Sequence, residues 1–191
     1  MKQNAEKIQV QVETSKSSFS PFGGMAILKE ANEALHLDFH LDDAIGIGKT
    51  KAKQSITDHE IIESLVAMQL LGGDSADGIE RIKKDQVLRA LIGRIPSKST
   101  VHNFLSEFDD PSQEEQRCHG RSFVPVRNAR LAGFDKVTKH ILSFMSERAP
   151  HREVTLDQDA TFINTKVNGA LFNYKKERSF EAFNTYCGEY D

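Results

Sequence analysis

The chain has 191 residues, a formal net charge of −3, 38% hydrophobic residues, no Trp, twelve Phe and two Cys. That length allows one domain or a domain with part of another, and the charge excludes any argument for nucleic-acid binding from total charge alone. Cys118 and Cys187 lie far apart without C-x-x-C spacing, and the neighbours Cys118 and His119 lack further ligands at metal spacing. Both facts argue against a disulfide scaffold or zinc site and fit a reducing cytoplasm. The N-terminus has no apolar signal region, and no run approaches eighteen apolar residues, so no membrane span is expected.

Residues 1–20 are polar, with Ile8, Val10 and Val12 alternating as in a short strand. Pro21–Gly24 reads as a turn. Ile27, Leu28, Ala31 and Leu35 then recur at helical spacing from Met25. The stretch His36–Ile45 alternates apolar and acidic residues and fits helix or strand. Gly46–Ile47–Gly48–Lys49–Thr50 resembles the end of a phosphate-binding loop, but that motif needs Gly where Asp43 stands, so the segment reads as a basic loop. Thr57 and Glu60 have capping-box spacing. The helix they open runs to Leu71, with Ile61, Leu65 and Met68 in one stripe and Ile62, Val66 and Leu70 beside it. All of this wide face is expected to be buried. Gly72–Gly73 stops the helix, and a short helix follows from Asp74–Asp77 to about Lys84.

Val87, Leu88, Leu91 and Ile92 form the next helical face, Gly93–Pro96 breaks it, and Ser97 caps a helix Lys98–Phe108. Helix, glycine-containing break, helix is the layout of a helix-turn-helix. Lys83, Lys84, Arg89, Arg94 and Lys98 gather around the break. Ser99, Thr100, His102 and Asn103 lie early in the second helix, where base and phosphate contacts are made in such motifs. An ordinary helical hairpin with solvated basic residues fits the same pattern. Residues 111–130 read as an irregular linker with scattered Arg117, Arg121, Arg127 and Arg130. After Gly133 an amphipathic helix carries Phe134, Val137, Ile141, Phe144 and Met145 to about Arg148.

The period then changes to two. Val154, Leu156 and Ala160 fall on one side of an extended segment, and Thr155, Asp157, Asp159 and Thr161 on the other. Two carboxylates roughly 6–7 Å apart then share a strand face, which suits either a divalent cation or a solvated sheet edge. Asn168–Gly169 is a hairpin signal, and Ala170–Tyr174 reads as the returning strand.

Two stretches resemble one family. GGDSADGIERIKKD with LRALIGRIPSKSTVHNFLSEF, and LDQDAT with NGALFNYKKERSF and EAFNTYCGEYD, are similar to DDE transposases of bacterial insertion sequences. The resemblance covers residues 20–110 and extends through the strands to 191. It implies an α+β chain: a helical, helix-turn-helix-like region (1–110), a linker and connecting helix (111–150), and the first strands of an incomplete ribonuclease-H-like catalytic domain (151–191). In that family the second Asp of a D-x-D-x-T strand is the first of three metal-binding acids. Carried over, it is Asp159, with Thr161 as the family's Thr and Asp157 as the alternative ligand. The family's Y-x-G-x-x-G/S-[YF] run falls on Tyr174–Phe180, with Lys176 where Gly is common.

The resemblance further implies Mg²⁺ or Mn²⁺ in the complete enzyme, and terminal inverted-repeat DNA as partner. Self-association or association with an intact transposase, and a cytoplasmic location, also belong to this expectation. The second and third acids are missing from the meander that ends at Asp191. The sequence-level expectation is therefore an N-terminal fragment: inactive alone, marginally ordered over 152–191, still able to bind DNA ends and so to inhibit the intact enzyme. The rival readings are a non-catalytic helical DNA-binding regulator that dimerises through its strands, and a functionless relic.

Overall fold

The structure is a computed structural model that describes residues 20–46, 55–115, 124, 126–166 and 169–190. The expected strand at Ile8–Val12, the basic loop at Lys49–Lys53, the Cys118–His119 pair, Val167–Asn168 and Asp191 lie outside the described residues. Eight helices precede three strands among those described: α1 (Met25–Ala34), α2 (Leu37–Ile45), α3 (Asp58–Leu70), α4 (Gly78–Ile82), α5 (Gln86–Ile92), α6 (Lys98–Ser106), α7 (Pro111–Glu114), α8 (Ala129–Arg148), then β1 (Leu156–Asn164), β2 (Leu171–Phe172) and β3 (Arg178–Cys187). The chain is thus α+β. It divides into two compact units, Met1–Val137 and Thr138–Asp191, with the boundary inside α8. No described helix is long and apolar enough to cross a membrane.

The helical unit closes around Ile61 and Met68 of α3, Ile79 and Ile82 of α4, Leu88 and Ile92 of α5, and Val101 and Phe104 of α6. Each such side chain contributes about 1.5–3 kcal/mol when fully buried. The wide apolar face expected of α3 is only partly used. Ile61 and Met68 are buried, but Val66 is 40% and Leu70 64% exposed, because the neighbouring short helices cover only one side of it. The undecided stretch His36–Ile45 becomes α2, after His36 enters the left-handed region (φ 47°) and ends α1.

Two expectations in the connecting segment are corrected. Residues 111–114 are not irregular: Asp110 caps the single turn α7, with Pro111 at the helix start, where a missing N–H costs nothing. The long helix also begins before Gly133, at Ala129, where the Asn128 side chain accepts from the Leu131 N–H at 2.8 Å. Gly133 lies inside α8 and serves packing. A Cβ there would stand 2.2 Å from the Ala44 carbonyl oxygen, so only glycine permits this approach to α2.

The first turn of α3 ties these parts together with three consecutive side chains. Asp58, only 4% exposed, accepts from Arg130 of α8 at 3.0 Å, and Arg130 also pairs with Glu107 at 2.6 Å. The same guanidinium lies over the rings of Phe104 and Phe108 at 5.5 and 5.1 Å. His59 Nδ1 is 3.0 Å from Asp42 of α2. Glu60 completes the capping box with Thr57 and accepts two bonds from Arg94, in the turn between α5 and α6.

The second unit holds an antiparallel sheet in the order β1-β3-β2. This overturns both the expected Asn-Gly hairpin from β1 into a returning strand and the expected meander, since β3 stands between the two. The returning strand shrinks to Leu171–Phe172. The reason is length. β3 offers β1 nine successive pairs, from Leu156↔Cys187 to Asn164↔Ser179, whereas β2 offers β3 two. The tight turn is instead Asn173–Glu177. Its Asn173 side chain accepts from the N–H groups of Lys175 and Glu177 at 2.9 and 3.1 Å. Lys176 takes φ 62° there, a conformation that costs a residue with a Cβ about 1–2 kcal/mol and that glycine adopts freely.

Replacing Arg130 by Met should destabilise the helical unit by about 3–5 kcal/mol, because the buried Asp58 carboxylate loses the cation that compensates its charge. Urea unfolding measures this, and adding Asp58→Asn should recover part of the loss.

Candidate nucleic-acid interface and acidic strand

The break between α5 and α6 runs from Gly93 to Ser97. Gly93 takes φ 89° at the end of α5, which is open to glycine and costly for other residues. Ile95 and Pro96 are buried in the turn. Ser97 caps α6, its side chain accepting from the Thr100 N–H at 3.1 Å. The buried face of α6 is Val101 and Phe104, so Ser99, His102 and Asn103 face solvent.

The basic residues around it fall into two sets. Lys84 and Arg89 are exposed, Lys83 is half-buried, and none of the three side chains has a hydrogen-bond or ion-pair partner among the described residues. Arg94 and Lys98 are engaged. Arg94 donates from Nε and Nη2 to the two Glu60 oxygens at 3.0 and 2.9 Å, and Lys98 Nζ donates to Asp77. Thr100 Oγ1 is 2.8 Å from Ser97 Oγ. Sequence reading named Arg94 and Lys98 but not their carboxylate partners, which lie 34 and 21 positions away. The one signal available was the run Asp58–His59–Glu60 heading an otherwise apolar helix.

The acidic strand lies in the other unit. The register sets Asp157 opposite Tyr186, Asp159 opposite Asn184, and Thr161 opposite Ala182. Directly opposed residues share a face, so both aspartates stand on one face with Thr161, whose hydroxyl accepts from Asn184 at 3.3 Å. Asp157 and Asp159 are exposed, and neither carboxylate has a partner among the described residues. Glu189 is committed elsewhere: it accepts from the Thr155 N–H and hydroxyl at 2.8 and 2.9 Å, and the backbone bond, then the hydroxyl, hold its carboxyl below the usual range. Among the described residues no group of three His, Cys, Asp or Glu is placed to hold a metal ion. The donors present, two carboxylates, are of the hard oxygen type that magnesium-like ions take.

A cleft between α1, α2 and α3, which no sequence signal indicated, is lined by the apolar Leu41, Ile62 and Val66 and by Glu33, Asp38 and Glu63, the last paired with Lys29 at 3.3 Å. Its excess of carboxylates makes it a poor surface for a phosphate backbone.

A family model described as transposase DDE domain group 1 matches residues 2–190, and the chain belongs to that family. Its members act in DNA transposition, bind DNA and use divalent metal ions. No curated protein and no solved structure matches the chain.

Burial pushes the Glu60 carboxyl up, and the bonds from Arg94 and Thr57 outweigh it, leaving it below its ordinary value of 4.5. A depressed carboxyl stabilises the fold fully above its unfolded value and loses that contribution as pH falls through the folded value. Urea midpoints should therefore hold steady from pH 7 to about 5 and fall below about pH 4.5. The fall should be shallower in Glu60→Gln; an identical fall would remove Glu60 from the linkage.

Proposed function

We propose that this chain recognises the terminal inverted repeats of an insertion sequence through α5, the Gly93 turn and α6, and that its acidic strand supplies the first metal-binding carboxylate of a transposition site. The observation that carries the reading is the exposed polar face of α6, Ser99, His102 and Asn103, presented by a glycine turn and a serine cap in a member of the transposase DDE family. Lys83, Lys84 and Arg89 meet phosphates and set register on the duplex, while His102 and Asn103 reach base edges, Asn being suited to adenine. Thr100 and Ser97 hold the start of α6 in place. In this reading residues 1–110 bind the ends, 111–150 connect, and 151–191 begin a ribonuclease-H-like fold.

Asp159 is the carboxylate assigned to the metal, with Asp157 beside it as the second candidate. When bound, Mg²⁺ or Mn²⁺ activates the attacking oxygen and stabilises the leaving one at phosphorus. Thr161 and Asn184 hold each other on the same face and keep the strand pair in register around Asp159. Two carboxylates of one strand leave most coordination positions to water, so β1 alone holds a cation weakly. A cytoplasmic location follows from the same reading, since the substrate is chromosomal DNA.

The test is a gel shift at fixed salt, with a duplex copied from the terminal repeat of the element and a shuffled duplex of equal composition. Preference for the terminal repeat, weakened about tenfold by Asn103→Ala and unchanged by Asp159→Ala, is expected. Mn²⁺ binding followed by electron paramagnetic resonance should be weak and be lost in Asp159→Ala. Equal binding of the two duplexes contradicts end recognition. Loss of Mn²⁺ in Asp157→Ala alone reverses the assignment, and Mn²⁺ binding indifferent to both changes favours a non-catalytic regulator.

A further inference from the structure

Resting on the reading of α5 and α6 as the DNA-binding pair, we propose that Asp77 attenuates DNA binding at the start of α6: its carboxylate stands in for a DNA phosphate on Lys98, so backbone binding there must first displace it. The geometry is local and complete. Asp77 immediately precedes α4, and its carboxylate takes the Lys98 ammonium. Glu80, one turn further on, accepts from the Lys98 backbone N–H at 3.3 Å, which fixes the start of α4 beside the start of α6. His102 stands one turn along α6, on its exposed side.

The two engaged cations differ in a way that assigns the role to one of them. Arg94 is held in a fork by Glu60, which is 13% exposed and is itself part of the α3 capping box. That pair is built into the fold. Asp77 is 72% and Lys98 46% exposed, and exposed pairs are weak and exchange readily with competing ions. A phosphate arriving at Lys98 exchanges one anion for another and leaves Asp77 uncompensated close to the backbone. That cost falls on every duplex whose phosphate meets Lys98, whatever its sequence.

The experiment compares the whole chain with Asp77→Asn, and with Asp74→Asn as a control. Asp74 is an exposed carboxylate in the same connection, so its loss changes net charge equally without freeing Lys98. Affinities for the terminal-repeat and shuffled duplexes are measured by fluorescence anisotropy across a salt series, with circular dichroism confirming the fold. For Asp77→Asn both duplexes should bind about three- to tenfold more tightly. The log–log salt slope should steepen by about one on each, with the ratio of terminal-repeat to shuffled affinity unchanged. Asp74→Asn should leave the slope unchanged. Unchanged affinity in Asp77→Asn, tightening of one duplex alone, or the same effect from Asp74→Asn overturns the inference. Arg89→Gln separates the two levels. If it weakens binding while Asp77→Asn does nothing, this inference fails alone; if it leaves binding unaltered, the reading of α5 and α6 fails and takes this inference with it.

Discussion

The helical unit depends on the first turn of α3. Asp58, His59 and Glu60 are consecutive, and each reaches a different part of the unit: Arg130 at the start of α8, Asp42 in α2, and Arg94 in the turn before α6. A helix N-terminus favours acidic side chains through its unpaired N–H groups, so Asp58 and Glu60 are stabilised before any partner arrives. The partners convert that local preference into tertiary geometry. The Arg94–Glu60 fork orients the turn that presents α6, and Arg130 holds the far end of α6 through Glu107 and the rings of Phe104 and Phe108. The exposed face of α6 is thus held at both ends by charges that originate in one turn of another helix.

Much of this unit was legible because its signals are local. Thr57 and Glu60, Ser97, and the apolar spacings of Val87–Ile92 and Val101–Phe108 each depend on neighbours within a turn or two, and the corresponding caps and helices are present. What was not legible depends on distant partners. The destination of Arg130, read as part of a basic linker, is set by Asp58, 72 positions earlier. The place of Gly133 inside α8 is set by the Ala44 carbonyl. Sheet order fails for a related reason: an Asn-Gly pair signals a turn but not which strand follows into register, and pairing length decided that.

The acidic strand was legible as a pattern and not as a site. Alternation placed Asp157, Asp159 and Thr161 on one face, and the register agrees. Alternation cannot bring further ligands to that face, and among the described residues none arrives. The sheet also exposes apolar groups on both faces, with Phe183 at 78% and Ile163 at 54%. Such surfaces gain from cover. The acidic strand and the α6 face therefore stand in different physical conditions. One is braced by buried ion pairs, while the other is an open sheet with edge strands on both sides.

Hydrogen–deuterium exchange of the whole chain, with and without the terminal-repeat duplex, tests the central claim most directly. If α5, the Gly93 turn and α6 form the DNA surface, protection on binding is concentrated over residues 83–103. The α1–α2–α3 cleft and β1 should then exchange as they do in the free chain. Protection confined to the sheet or to the acidic cleft, with residues 83–103 unchanged, would contradict the account.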